Sequence, residues 1–390
     1  MGDNCYCVRL TAVRLDLESW DEKAWLDKIH VNREEGTRPV STGDVPIHFY
    51  IPDDQWPEDV DRLKPVYSWK ENRWGQWNWT LQSFQILNDH GIACSMTRDI
   101  CSPGIVFAHR GVIPDSYRPT QDHLLVCILA ERIRHPFAQF HLLQDPLQKI
   151  AFRRKLGSRW DKRLLGYSTS SYIRYWPQPE LIPRDRNRGS LFENVVFKGI
   201  EGNLAPELRT NAFHEKLADI GLRLRIETNK SLWNDYSDVD CVVAVRHFEK
   251  IRYSRKPATK LYNGWLAGVP VIAGIEPAFR CEGTPGRDYL EASSADEVIS
   301  ALINLKADFH RRQAIVSQGL LKSARYRPDR LAEDWRNLIL ARLNPLQEHW
   351  SSCSSKTRES FFALRRIAWC SRWVHKKLSA RIGLPFNPFI

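Results

Sequence analysis

The sequence has no run of 18 uninterrupted apolar residues, so no membrane-crossing helix is expected. Its opening, MGDNCYCVRL, lacks the apolar core of an export signal, and Tyr6 stands where a myristoylation signal needs Ser or Thr. Neither secretion nor acyl anchoring is expected. The nine cysteines include no C-x-x-C pair, which argues against a disulfide framework and fits reduced thiols in a cytoplasm. Acidic residues are scarce at the far end: across 350–390, Glu359 is the sole acid against eight Lys and Arg. That segment supplies most of the formal net charge of +11, which together with a pI of about 9.2 points to anionic partners. Nucleotide phosphates, acidic lipid and nucleic acid are the classes this admits.

What is present is a globular composition, 43% hydrophobic and 26% charged, over 390 residues, a length that suits two domains. Fifteen Trp, 12 Tyr and 16 Phe can fill cores, and they also suit stacking on sugars or bases. Short apolar runs bounded by Pro, Gly or charge begin at Pro46–Ile51 and recur at Ile92–Thr97, Gly104–Ala108, Leu124–Leu129 and Ala138–Leu143. Such runs read as strands buried on both faces of a parallel sheet, with a helix over Thr80–Asn88 between the first two. Three prolines in Tyr172–Arg188 forbid a helix or central strand and predict an extended crossing. A second alternation follows. Strands are expected at Asn194–Phe197, Leu222–Ile226, Cys241–Val245 and Val269–Ala273, and helices at Glu207–Ile220, Thr259–Ala267, Ala295–Leu305, Phe309–Ala324 and Pro328–Arg342.

The segment Lys256–Ala273, KPATKLYNGWLAGVPVIA, carries the most chemistry. Its helix would open with Pro257 in the first turn, presenting unpaired N–H groups to an anion, with Lys260 adding a full charge. Gly268 and Pro270 then turn the chain into the next strand. The block resembles the donor-site helix of retaining GT-B glycosyltransferases, in which Lys-Leu-x-Glu-aromatic-x-x-x-Gly-x-Pro-Val-Ile is a common pattern. Asn263 replaces the Glu that grips the ribose in that family, and Arg255 stands where its companion Glu would be. Val195–Leu204, VVFKGIEGNL, is similar to the strand and glycine loop that open the donor domain. The resemblance covers about 45–345 and implies an α/β fold of two Rossmann-like domains facing a central cleft, with C-terminal helices and a basic tail. The corresponding boundaries are 1–44 for an N-terminal extension, 45–180 for the acceptor domain, 181–327 for the donor domain, 328–349 for a C-terminal helix and 350–390 for the tail.

The resemblance also implies roles. Gly199, Asn203, Arg246, Lys256, Lys260, Leu261 and Asn263 would bind the donor, Arg246 being weighed between phosphate contact and a structural ion pair. His109 would touch the transferred sugar, and Glu131 or Asp145 would orient or deprotonate an acceptor hydroxyl. Gly75-Gln76-Trp77 is similar to the loop that closes over donor and acceptor. The triplets Asp59-Val60-Asp61 and Asp238-Val239-Asp240 do not follow a strand, so surface charge or helix capping is expected of them and no metal.

Leu364, Ile367, Ala368, Val374, Leu378 and Ile382 would share one face of a basic helix, with Trp369 and Trp373 nearly opposite. The composition fits contact of 356–382 with an anionic membrane surface, against the alternative of a terminal helix packed on the body. The resulting expectation is a cytoplasmic glycosyltransferase, peripheral to the inner membrane face if the tail binds lipid. It would be metal-independent and retaining, and would need no cofactor beyond a nucleotide-sugar co-substrate. The hydroxyl acceptor would be a glycan, a polysaccharide precursor or a lipid-linked species. Two other classes stay open: a non-catalytic nucleotide-sugar binder, suggested by Asn263, and a basic nucleic-acid binder. The terminal position of the charge and the lack of a binding motif argue against nucleic acid.

Overall fold

The computed structural model describes residues 45–57, 76–146, 165, 169–249, 253 and 255–381, with side chains up to 370. Residues 1–44, Asp59–Asp61 and Gly75 lie outside the described residues.

Six strands build the first sheet: β1 (Ile47–Tyr50), β2 (Ser95–Thr97), β3 (Gly104–His109), β4 (His123–Ile128), β5 (Phe140–Leu143) and β6 (Ser170–Tyr172). They pair in parallel in the order β2-β1-β3-β4-β5-β6. β4 and β5 are buried along their whole length, which is why their sequences read as continuous apolar runs. Helix α1 (Leu81–Asp89) follows β1.

The second sheet is β7 (Asn194–Lys198), β8 (Arg223–Glu227), β9 (Cys241–Ala244), β10 (Val271–Ala273) and β11 (Leu290–Glu291), parallel in the order β11-β10-β9-β7-β8. Helices α2 (Asn211–Asp219), α3 (Thr259–Ala267), α4 (Pro277–Glu282), α5 (Ala295–Ala307) and α6 (Phe309–Ser323) accompany it. Alternation along the strands sorts the core into two faces. Val195, Phe197 and Val243 pack with Phe213 of α2 and Leu302 of α5, whereas Val196, Val242 and Val271 pack with Leu261 and Trp265 of α3. Thr210, Ser294 and Asp308 cap α2, α5 and α6 through their side-chain oxygens, and Gly268 ends α3 with φ +70°.

The architecture is thus α/β with two Rossmann-like halves, the GT-B layout implied by the sequence. Between them the chain runs outside helices and named strands from Ile173 to Pro183, with a turn at Pro179–Glu180 where Glu180 has φ +52°; the extended crossing expected over 172–188 thus begins inside β6 and is broken there, and Arg186–Arg188 forms a short 3-10 turn. β6, β11 and α4 have no counterpart in the sequence reading. The helix expected over Pro328–Arg342 is α7 (Pro328–Leu338), which runs through a π-helical turn at Ile339–Leu343 into α8 (Asn344–Ser352). These elements return to the first sheet. Leu331, Trp335, Ile339, Leu346 and Trp350 share one core with Phe49, Phe107 and Val126. Trp335 stacks on Trp176 of the crossing at 6.2 Å and meets Phe107 edge-on at 5.3 Å.

Helix α9 (Ser355–Arg381) forms the tail. Its described part docks through Phe361, Phe362 and Arg365, all buried, with Phe362 edge-on to Phe137 and Arg365 donating to the Ala138 carbonyl. Leu364 and Ala368, expected on a membrane face, are half-buried, whereas Ile367 is exposed. The side chains of Trp373, Val374, Leu378 and Ile382 lie outside the described residues.

Trp335 ties the crossing and the C-terminal helix to the first sheet, yet its indole nitrogen is buried without a hydrogen-bond partner among the described residues. Trp335→Ala is expected to lower unfolding free energy by about 3–5 kcal/mol in urea denaturation. Trp335→Phe, which keeps a ring and removes the unsatisfied N–H, should cost clearly less.

Candidate functional site

In an open parallel sheet, a crevice forms where the chain, having placed strands on one side, next places them on the other. In the first sheet that point lies between β1 and β3, and in the second between β7 and β9. Both open on one cleft of about 590 Å³. His109 at the end of β3, Glu131 and Arg132 after β4 and Gln144 after β5 form one wall. Lys198 and Gly199 at the end of β7, Asn203, Arg246 after β9, and Lys256, Thr259 and Lys260 leading into α3 form the other.

Helix α3 points its N-terminus into this space. Ala258 is its N-cap and offers no side-chain cap, so the first amides are open to a ligand. Pro257 precedes the cap rather than occupying the first turn, a small correction. Lys260 lies at that tip with Nζ 5.1 Å from the centre of the Phe197 ring. It has no hydrogen-bond or ion-pair partner among the described residues. Burial, with Arg246 nearby, pulls its ammonium down to about 7. Gly199, at φ +154°, makes room for it, since a Cβ there would sit 3.4 Å from Lys260 Nζ and 3.2 Å from Phe197. Lys198, buried, donates to the Leu232 carbonyl at 2.7 Å, and burial and Arg225 lower it to about 8.

For Arg246 the structure gives the ion pair, one of the two roles weighed in the sequence, at a position on the cleft wall. It lines the cleft and is ion-paired with Glu276, while Arg246 Nε and Glu276 Oε1 are left without partners among the described residues. Burial raises the Glu276 carboxyl against the pull of Arg246. Lys256 reaches across the cleft to Glu131 at 2.5 Å, linking the halves and occupying the carboxylate expected to act on an acceptor. Asn263 lines the cleft, and its Oδ1 accepts from the Gln178 amide of the crossing at 3.1 Å. Arg255, in the companion position, presents its carbonyl to Gln144 at 2.7 Å, and Gln144 also accepts from the Trp79 indole at 3.3 Å.

His109 lines the cleft with Nδ1 accepting from the Gly111 amide at 3.1 Å. Burial, then Arg132 and Arg110, lower it to about 4, so the ring is neutral near pH 7 and carries its proton on Nε2. Gln76 also lines the cleft.

Three expected residues do not. Leu261 is packed in the α3 core and Trp77 in a small core with Ile51 and Leu81, its indole donating to the Gln55 carbonyl. Apolar side chains inside a helix and a turn were drawn inward. Asp145 is buried and outside the cleft wall, although Gln144 before it is on that wall. Asp238, half-exposed, pairs with Arg225 as the surface charge expected of it. Asp240 differs from expectation: it is fully buried, binding Arg184, Arg188 and the amides of Glu193 and Asn194. Burial opposes the Asp240 charge, but Arg188, the two amides and Arg184 outweigh it and hold the carboxyl below its ordinary value.

Sequence reasoning missed Lys198, Glu276, Trp79 and Trp233. Lys198 ends a strand as Arg246 does, so the same argument would have found it. The tryptophans carried no positional signal.

No family model matches the sequence, and no curated protein is similar to it. Among solved structures, the chain is similar to Anabaena Alr3699/HepE in complex with UDP and glucose, at 12% identity and TM-score 0.44, covering 76% of this chain and 100% of that one. The pneumococcal O-GlcNAc transferase GtfA in complex with UDP and GlcNAc matches at 12% identity and TM-score 0.40, over 60% of this chain and 56% of that one. Sucrose-phosphate synthase from Thermosynechococcus elongatus matches at 12% and 0.40, over 75% and 81%. All lie below a TM-score of 0.5, and the fold stands on the strand order and cleft described above.

Competitive amine labelling read by mass spectrometry checks the state of Lys260. Its labelling should rise through about pH 7, some three units below the ordinary lysine value. A rise only near pH 10 would show that the cleft does not depress it.

Proposed function

We propose that this chain is a glycosyltransferase that binds a nucleotide sugar in the cleft, with the diphosphate at the N-terminus of α3. One observation carries the reading: Lys260 holds its amine at an open helix tip, without a counter-charge bonded to it among the described residues, between two sheet crevices. A diphosphate restores what that position lacks. Arg246, Lys198 and, once released from Glu131, Lys256 are within the same wall to share its charge. The half-buried face of Trp233 and exposed Ile200, both on the donor wall, are suited to the base.

On this reading the sugar lies between the α3 tip and His109, whose Nε2–H donates to a sugar hydroxyl. Asn263 bonds the ribose with an amide in place of a carboxylate. Transfer is retaining and metal-independent: cationic side chains and helix amides stabilise the leaving diphosphate, and its oxygen takes the acceptor proton. No cofactor beyond the co-substrate is invoked. The acceptor is a hydroxyl of a glycan, a polysaccharide precursor or a lipid-linked species. Contact of 356–382 with an anionic membrane belongs to the same proposal, supported by exposed Ile367 beside exposed Arg366.

Calorimetry with a panel of nucleotide sugars tests the reading, because their diphosphate diesters do not themselves titrate near neutrality. Binding should take up a proton above about pH 7, since the ligand raises the Lys260 pKa from about 7. Affinity should therefore be greatest below pH 7 and fall by up to about tenfold per unit as pH rises toward the bound-state pKa. Lys260→Met should weaken binding and remove the part of that pH dependence that sets in near pH 7, leaving at most a part that sets in near pH 8 from Lys198. No binding of any nucleotide sugar would count decisively against the proposal.

A further inference from the structure

On the acceptor wall, the turn after β4 carries a second cation that the diphosphate does not need. Arg132 lines the cleft and, among the described residues, its guanidinium has no hydrogen-bond or ion-pair partner. Its acidic neighbour Glu131 is taken by Lys256 at 2.5 Å. The arginine is exposed to solvent at the cleft edge. It lies across Gly111, where a Cβ would come 3.2 Å from Arg132 Nε and 3.0 Å from His109 Nδ1. A side chain at 111 would push both groups aside. Ala130, which starts the turn, adopts φ +47°, a left-handed conformation that is strained for a residue with a Cβ. That backbone sets Glu131 and Arg132 at the cleft edge.

We infer that Arg132 reads an anionic group, a carboxylate or a phosphate, on the acceptor. The inference rests on the glycosyl-transfer reading and names its substrate class. Arg132 and the neutral His109 present donors from one wall, the first with a fixed planar fork that matches carboxylate or phosphate oxygens. Lys260 and the α3 amides serve the donor on the opposite wall. An uncharged acceptor would leave Arg132 with only water. An anionic one gains a charge-assisted pair at the edge of a cleft that Trp79 and Trp176 also line.

The test measures hydrolysis of the nucleotide sugar that binds best, together with transfer, in the presence of matched compounds. Methyl glucuronide against methyl glucoside reads the carboxylate, and glycerol 3-phosphate against glycerol reads the phosphate. At equal concentration, the charged member of at least one pair should be glycosylated or should suppress donor hydrolysis about tenfold more effectively than its neutral partner. The pair that responds identifies the anion. Arg132→Ala should erase that discrimination, read within each variant as the ratio of the charged to the neutral compound so that any change in donor hydrolysis cancels, and Arg132→Lys should restore part of it. Charged and neutral compounds acting alike, including neither acting, would overturn the inference, as would discrimination that survives Arg132→Ala. Failure of the wild-type chain to bind or hydrolyse any nucleotide sugar is a different result, one that removes the glycosyl-transfer reading itself.

Discussion

Everything in this molecule follows from a constraint on parallel sheets. When the first strand of a sheet lies inside rather than at its edge, the crossovers on its two sides cover opposite faces. The carboxyl ends of the inner strands are then left uncovered. Both sheets are built this way, and both uncovered ends open on the same cleft. Charged residues that would be costly inside a sheet become tolerable at these ends, which is where Lys198 and Arg246 are found. Helix α3 adds unpaired amides to the same space.

The charges in the cleft are unevenly satisfied. Arg246 has Glu276, Lys198 has a carbonyl, and Lys256 has Glu131 on the facing wall. Lys260 has none of these among the described residues, and burial lowers its proton affinity. On the proposed reading, a ligand anion supplies the partner that this amine lacks among the described residues. The Lys256–Glu131 pair adds a second consequence, because a diphosphate competing for Lys256 would release Glu131 toward the acceptor side.

Much of the fold was legible in the sequence because buried parallel strands announce themselves as apolar runs between glycines, prolines and charge. The α3 helix matched its expected bounds, Thr259–Ala267, for that reason: Gly268 stops it with a left-handed cap. β11 and β6 are two and three residues long, too short for any periodicity. The π-turn at Ile339–Leu343 keeps the helical pattern of apolar residues, so it could not be seen. Cleft residues were legible when they ended strands or opened α3. Leu261 and Trp77 were misplaced because a motif specifies positions along the chain, whereas packing decides which side chain turns inward. Asp240 was read as a surface or capping carboxylate because its partners Arg184 and Arg188 lie about 50 residues away in sequence.

A crystal structure of the chain with a bound nucleoside diphosphate tests the central claim most directly. The two phosphates should lie at the N-terminus of α3, with Lys260 Nζ and at least one first-turn amide within hydrogen-bonding distance, about 2.7–3.2 Å. Phosphates held elsewhere in the cleft, with Lys260 still against Phe197 and the helix tip empty, would contradict it.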